Sequence, residues 1–127
     1  MICGTGIDII EIERIGEVYD QKGDRFIERL LAVTEKERWL QRGARLETLA
    51  GYWAAKEAVA KALGKGFVSF GFNDVVITHD PSGRPLVELK GGAKALASQL
   101  GITNMWISIS HSRAYAVATA IAEGRTS

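Results

Sequence analysis

The chain has 127 residues, of which 46% are hydrophobic and 24% charged, with only two prolines, values that exclude a disordered chain and predict one domain over residues 1–127. A formal net charge of +1 provides no overall positive field, so we expect no nucleic-acid partner. The single cysteine, the lack of a signal-like start and the lack of a bilayer-length apolar run predict a cytoplasmic protein without a membrane segment.

The first predicted element is a buried strand over residues 2–12, which are rich in β-branched side chains. Asp8 interrupts this apolar segment, and a charged carboxylate without a partner would be costly there. Gly4 and Gly6 lie on the same face of the strand as Asp8 and leave room for a ligand or another backbone. Asp8 is therefore a candidate functional residue, although an aspartate that hydrogen-bonds a neighbouring turn explains the pattern equally well.

Two short helices are predicted within residues 13–31. A basic patch with an apolar centre could be formed by Arg14, Lys22, Arg25 and Arg29, with Val18 and Phe26 among them. Acidic residues alternate with these arginines, so an evenly mixed surface is the better interpretation of the residues alone.

Two longer helical segments follow, at residues 34–43 and 46–63. A capping box formed by Thr34 and Glu37 predicts the start of the first helix. Periodicity places an apolar stripe on one side of the second helix. This stripe consists of Tyr52, Ala55, Val59, Ala62 and Leu63.

The opposite side of that long helix carries Glu57 and Lys61 one turn apart, surrounded almost entirely by small residues. So few charges over four turns indicate a helix that is covered on both sides. Charges in such a place are costly unless they are paired or bind something. Glu57 and Lys61 are therefore candidates for chemistry, with a plain ion pair between them as the alternative.

The second half of the chain is predicted to contain mostly strands. The predicted elements are a hairpin, a helix and two final strands, at residues 74–89, 92–100, 106–110 and 114–122. His79 is expected in the exposed turn of the hairpin, and the last strand is expected to be buried. The whole order predicts an α+β fold with a largely antiparallel sheet, in which the last two strands lie beside the first, and a long central helix.

Two loops carry groups that suit phosphate. Gly64-Lys65-Gly66 ends the long helix and could wrap a phosphate, but it is not a Walker motif, because it follows a helix instead of preceding one. The turn Ser110-His111-Ser112-Arg113 lies at a strand end and suits phosphate binding or proton transfer. A plain surface turn explains the second loop equally well.

Three motifs occur together in this chain: Gly6-Ile-Asp8 followed by Arg14, Trp53-Ala-Ala-Lys56-Glu57-Ala-Val-Ala-Lys61-Ala-Leu-Gly64, and Ile107-Ser-Ile-Ser-His111-Ser. In this combination the sequence resembles the 4'-phosphopantetheinyl transferases, and most of all their short group, the holo-[acyl-carrier-protein] synthases. The resemblance extends over residues 2–122. Trp53 stands where a phenylalanine is commoner, and both are large aromatic residues.

The resemblance implies an enzyme that transfers the phosphopantetheine arm of coenzyme A to a serine of an apo acyl carrier protein and releases adenosine 3',5'-bisphosphate. It implies Mg²⁺ as the cofactor, with Asp8 and Glu57 as its carboxylate ligands. Lys61 would stabilise charge on the leaving side, and either Glu57 or a metal-bound water would act as the base. The coenzyme A nucleotide is expected to contact Lys61, Gly64, His111 and Ser112.

The carrier proteins of this family are acidic, so the resemblance turns the basic patch into a docking surface. Its expected residues are Arg14, Arg25, Phe26 and Arg29. The resemblance also implies a homotrimer with active sites at subunit interfaces, in which His111 of one subunit faces Asp8, Glu57 and Lys61 of another. The carrier would serve fatty acid or polyketide synthesis.

Two other kinds of protein remain compatible with the residues. A module that binds coenzyme A without catalysis would use Lys61 and His111 but would not need two carboxylates. A structural interaction domain would pair Asp8 and Glu57 locally.

Overall fold

The computed structural model describes residues 1–64 and 66–125. Its elements are β1 (Ile2–Glu11), α1 (Ile12–Lys22), α2 (Asp24–Leu30), α3 (Val33–Gln41), α4 (Leu46–Ala62), a 3₁₀ turn (Phe72–Asp74), β2 (Val75–His79), β3 (Pro85–Leu89), α5 (Gly91–Gln99), β4 (Ile102–His111) and β5 (Tyr115–Gly124). This order confirms the predicted α+β fold with a long central helix. Lys65, the middle residue of the predicted phosphate loop, lies outside the described residues.

The strands form two antiparallel sheets. One has three strands in the order β1-β5-β4, and the other is the β2-β3 hairpin. Asp8 in β1 lies opposite Ala118 in β5, which in turn lies opposite Ile109 in β4. The prediction that the last two strands lie beside the first is therefore confirmed.

Helix α4 packs directly on the three-stranded sheet, because small residues line the contact. A Cβ atom added to Gly4 would collide with the carbonyl oxygen of Ala62, and one added to Gly6 would collide with that of Ala58. On the sheet side of the contact, four alanines of β5 are buried under the helix, namely Ala116, Ala118, Ala120 and Ala122. Only short side chains allow a helix backbone to approach a sheet so closely.

The two faces of the three-stranded sheet differ in exposure to solvent, and this corrects the prediction that β1 and β5 are buried strands. Only the face under α4 is covered. On the other face Ile7 and Ile9 are 61% and 63% exposed, and Tyr115 and Ile121 of β5 are also exposed. Alternating side chains of a strand point to opposite faces, so one covering helix buries only every second residue.

Two further details of the predicted elements are wrong. Helix α3 begins at Val33, and its first turn is capped by Glu35 instead of Glu37, with the backbone N–H of Ala32 donating to the Glu35 carboxylate at 2.8 Å. His79 is the last residue of β2 and is half-buried, because the turn begins one residue later, at Asp80. Within residues 1–64 and 66–125, no helix combines the length and the apolar character needed to cross a bilayer.

Candidate active site

Asp8 and Lys61 meet where β1 crosses beneath α4. The Lys61 ammonium donates to the Asp8 carboxylate oxygen Oδ1 at 3.1 Å and to the backbone carbonyl of Ile7 at 2.8 Å. The Asp8 side chain is only 16% exposed. Lys61 thus pairs across two elements, and neither the Glu57–Lys61 ion pair nor an Asp8 bond to a neighbouring turn occurs in the described part of the chain.

The second Asp8 oxygen, Oδ2, is buried and accepts no hydrogen bond within the described residues. The half-buried Glu57 lies nearby on α4. Burial raises the pKa of Glu57 above its ordinary value, the Asp8 carboxylate raises that pKa further, and Lys61 lowers it. Two carboxylates therefore repel each other here, and one of them has an oxygen without a partner.

These features fit a hard divalent cation. Mg²⁺ prefers oxygen ligands, takes only one or two protein carboxylates and fills its remaining positions with water and substrate oxygens. Asp8 and Glu57 offer two carboxylates and the buried, unpartnered oxygen. No group of three or more His, Cys, Asp or Glu side chains is clustered within residues 1–64 and 66–125, so a cation at Asp8 and Glu57 would keep open positions.

His111 lies in a different place on the same chain. It ends β4 and lines a groove of about 300 Å³ together with Arg38, Arg42 and His79. Burial lowers the pKa of His79, and the two arginines lower it further, so the groove is a cationic environment. Asp8 is two strands away in β1, roughly 10 Å from β4 at the usual strand spacing. One chain alone does not bring His111 to Asp8, Glu57 and Lys61.

The same groove contains a polar group that the sequence did not draw attention to. The Tyr52 hydroxyl is buried and makes no hydrogen bond to the described residues. Burial raises the pKa of Tyr52 to about 12, and the charge of Glu35 contributes to this increase. The hydroxyl therefore stays protonated, and because its oxygen is buried it offers no exposed donor at the groove surface.

The remaining predicted nucleotide contacts lie at the ends of elements. Gly64 follows α4 with a φ of 85°, a left-handed conformation in which glycine is unstrained. Ser112 closes the turn between β4 and β5, where its backbone N–H donates to the Tyr115 carbonyl at 2.8 Å and its hydroxyl accepts from the Tyr115 N–H at 3.3 Å. The Ser112 side chain therefore has a structural partner already.

The predicted docking residues border a cavity of about 550 Å³ between α1, α2 and α4, which we call the basic cavity. Lys22, Arg25 and Arg29 form its charged rim, and three aromatic residues form its floor, namely Phe26, Trp53 and Phe72. Phe26 is almost fully buried, so it contributes to the floor and not to the exposed rim. Arg14 is exposed and lies one helical turn before Val18, a wall residue of the basic cavity.

The basic cavity and Glu57 share helix α4. Trp53 of the cavity floor lies one turn before Glu57 on α4, and residues four apart lie on the same side of a helix. The Trp53 and Phe72 ring centroids are 4.9 Å apart. A group that enters between the charged rim and this aromatic pair would therefore approach Glu57.

One buried ion pair within the described residues was not among the sequence-based predictions. Lys56 and Glu35 form a fully buried ion pair with a separation of 2.6 Å between Nζ and Oε1. Burial lowers the pKa of Lys56, and the Glu35 carboxylate opposes this shift. The sequence contained a signal for the burial of Lys56, because this residue lies at the position on α4 that continues the apolar stripe through Tyr52 and Val59.

Comparison with known proteins identifies the family. The model of the 4'-phosphopantetheinyl transferase superfamily matches residues 4–120. The chain belongs to this superfamily. It is 47% identical over 127 residues to holo-[acyl-carrier-protein] synthase from Hydrogenovibrio crunogenus, an alignment that covers 99% of this chain and all of the relative.

Solved structures of the superfamily share the fold described above. Holo-[acyl-carrier-protein] synthase from Neisseria meningitidis superimposes with a TM-score of 0.90 and 32% identity, covering 97% of this chain and 99% of the other. The Helicobacter pylori enzyme in complex with coenzyme A gives 0.83 and 31%, covering 94% and 99%. These similarities confirm the resemblance drawn from the three sequence motifs.

We expect Glu57→Gln to stabilise the fold at neutral pH. The pKa of Glu57 is raised in the folded state, so its ionisation weakens folding as pH rises through that pKa, and a neutral amide removes this cost. Urea denaturation in chelator should give a higher free energy of unfolding for Glu57→Gln at pH 7, and the difference should shrink near pH 4, where the wild-type carboxyl is protonated.

Glu17→Gln is the matched control, because Glu17 is exposed on α1. Its free energy of unfolding should stay close to that of the wild type at both pH values. A loss of stability in Glu57→Gln at pH 7 would contradict the conclusion that burial and the Asp8 charge make the ionised Glu57 unfavourable.

Proposed function

We propose that this chain acts as a holo-[acyl-carrier-protein] synthase and that Asp8, Glu57 and Lys61 carry its chemistry. The reaction transfers 4'-phosphopantetheine from coenzyme A to a serine of apo acyl carrier protein. The observation that carries the residue assignment is the strained pair of carboxylates beside Lys61, one with a buried, unpartnered oxygen. Family membership supports the reaction itself.

In this reaction the serine hydroxyl oxygen attacks the phosphorus that bears the pantetheine arm. A new P–O bond forms, the pyrophosphate bridge breaks, and adenosine 3',5'-bisphosphate departs with the bonding electrons. Phosphoryl transfer of this kind requires mainly positioning and neutralisation of charge. Bound at Asp8 and Glu57, Mg²⁺ would supply a positive charge to the pyrophosphate oxygens.

The protein's own groups account for the other requirements. Either Glu57 or a water held at the same site would accept the proton of the serine hydroxyl. Lys61, whose side chain is half-exposed, is accessible to a phosphate and can stabilise charge on the leaving side. Asp8 holds the Lys61 ammonium at this place before substrate binds.

A mass spectrum of apo acyl carrier protein, incubated with this protein, coenzyme A and Mg²⁺, tests the proposal. The carrier should gain one phosphopantetheine group, and excess chelator should abolish this gain. We expect Asp8→Ala and Glu57→Ala each to reduce transfer by at least roughly 100-fold while the far-UV spectrum stays unchanged, because charge neutralisation at the pyrophosphate supplies several kcal/mol. Near-normal transfer by either variant would contradict the assignment of that carboxylate.

The basic cavity supports docking of an acidic carrier. Its rim is cationic, its floor is aromatic, and its floor residue Trp53 lies one turn from Glu57. Charges at the rim of an interface act mainly on the rate and register of association. We assign Arg25 and Arg29 to the rim, Phe26 to the floor, and the exposed Arg14 to the approach along α1.

Arg14→Glu should raise the KM for the carrier roughly tenfold and leave the dissociation constant for coenzyme A unchanged, because it reverses a charge on the path of the acidic partner. The increase should become smaller at high salt. Steady-state kinetics and calorimetry measure the two quantities. Lys94→Glu, an exposed charge reversal on α5, is the control. Equal losses for carrier and coenzyme A would exclude the docking role of Arg14.

We assign the groove around His111 to the nucleotide of coenzyme A. Arg38 and Arg42 give it cationic character, and His79 lines it as well. Because one chain keeps this groove away from Asp8, a complete site requires a second subunit. The resemblance indicates a homotrimer, and the exposed apolar face of the sheet supports an assembly of this kind. The single, exposed Cys3 is compatible with action in a reducing cytoplasm.

Ile9→Glu tests this assembly, because it places a charge in the centre of the exposed sheet face. Light scattering should give three times the chain mass of 13.8 kDa for the wild type and a single chain mass for Ile9→Glu. Leu40→Glu is the matched control, since Leu40 is an exposed apolar residue on α3, outside that face. A trimeric Ile9→Glu variant would contradict assembly through the sheet.

A further inference from the structure

The buried ion pair of Lys56 and Glu35 has every charged atom satisfied. The Lys56 ammonium donates to Glu35 Oε1 at 2.6 Å, to the Leu30 carbonyl at 2.6 Å and to the Phe72 carbonyl at 3.1 Å. Glu35 Oε1 also accepts from the Ala32 N–H at 2.8 Å, and Oε2 accepts from the Ile77 N–H at 2.8 Å. The exposed fraction is 0% for Lys56 and 1% for Glu35, so neither side chain can touch a substrate.

Stability alone is a poor reason for such a pair. Removing two charges from water costs about as much as their attraction returns, and well-packed apolar residues of similar size are often equally stable or more so. The pair instead fixes the relative positions of several secondary-structure elements. It connects α4 to backbone groups at the end of α2, the start of α3, the 3₁₀ turn and β2.

Two of those backbone groups belong to walls of the basic cavity. Leu30 and Phe72 both line it, and each has its carbonyl held by the Lys56 ammonium. The Phe72 ring packs against Trp53 at 4.9 Å and against Phe67 at 4.4 Å. Lys56 itself directly precedes Glu57 on α4. The Lys56 side chain therefore connects two walls of the basic cavity to helix α4, at the position next to Glu57.

We propose that Lys56 and Glu35 are positioning residues, which hold the Leu30 and Phe72 walls of the basic cavity at a set distance from Glu57, so that a docked carrier presents its serine to that carboxylate. This role rests on the proposed function and on the assignment of the basic cavity to the carrier. Because a displacement of about 1 Å can reduce a reaction rate on the order of 100-fold, a shift of these walls changes turnover without removing a reacting group.

The double variant Lys56→Met/Glu35→Leu separates positioning from folding. Both charges leave together, so the double variant should melt at a higher temperature than Lys56→Met alone, although four backbone groups lose their partners. Its kcat/KM for the carrier should fall roughly 10-fold to 100-fold, while the dissociation constant for coenzyme A stays within about twofold of the wild-type value. Lys56→Met alone leaves a buried carboxylate without its partner and should melt at a much lower temperature.

Val59→Ala provides the matched control, because Val59 is fully buried on α4 and makes no polar contact with the cavity walls. It should lower the melting temperature and leave kcat/KM for the carrier near the wild-type value. If the double variant fails to fold, Glu35→Gln decides the question at a temperature below its own melting transition. Its amide retains the size of the side chain but removes the charge opposite Lys56 and cannot accept at both positions, so it should melt at a lower temperature than the wild type and show the same selective loss of carrier kinetics.

Three outcomes overturn the proposal. The first is wild-type carrier kinetics in the double variant, and the second is wild-type carrier kinetics in Glu35→Gln. The third is an equal loss of coenzyme A affinity and carrier kinetics, which would indicate general structural damage. Failure of the proposed function itself is recognised separately, because the wild-type protein would then transfer nothing to the carrier.

Discussion

The close contact between α4 and the sheet determines where Asp8, Glu57 and Lys61 lie. Gly4 and Gly6 of β1 allow the carbonyl oxygens of Ala62 and Ala58 to lie against the strand, so that the helix axis passes directly over it. Asp8 follows on the same face of β1, and this proximity brings its carboxylate to Lys61. A larger residue at either glycine would move the helix away from the strand, and the carboxylates of β1 and α4 would no longer meet.

Almost every residue of helix α4 is buried or half-buried, and two of its sides serve different purposes. One side carries Glu57 and Lys61 above β1, where burial and like charge produce a site that is poorly satisfied without a ligand. Another side carries Lys56, whose charge is fully satisfied by protein groups. The unsatisfied charges are the ones suited to chemistry, and the satisfied charge is suited to holding the architecture in place.

Periodicity was sufficient to predict the α+β fold and the central helix, since these follow from local patterns, and the resemblance of three motifs indicated the family. The pairing of Lys56 with Glu35 was not predicted, because 21 positions separate the partners and only the folded chain brings them together. The capping residue of α3 was placed at Glu37 instead of Glu35 because Thr34 is a favourable N-cap residue, whereas the N-cap of α3 is Ala32. The exposed face of β1 was missed because a run of isoleucines does not reveal whether one or both faces of a strand are covered.

The neighbouring positions of Lys56 and Glu57 limit how the length of this chain can vary. Successive residues of an α-helix are rotated by about 100°, which is why one of these side chains enters the core and the next lies above β1. Inserting or deleting one residue in α4 would rotate every later residue of the helix by that angle. The buried Lys56 ammonium would then no longer be oriented correctly relative to Glu57 and the partners of both side chains. We therefore expect an insertion or deletion between Gly51 and Lys61 to be far more damaging than one in the exposed hairpin turn at residues 81–84.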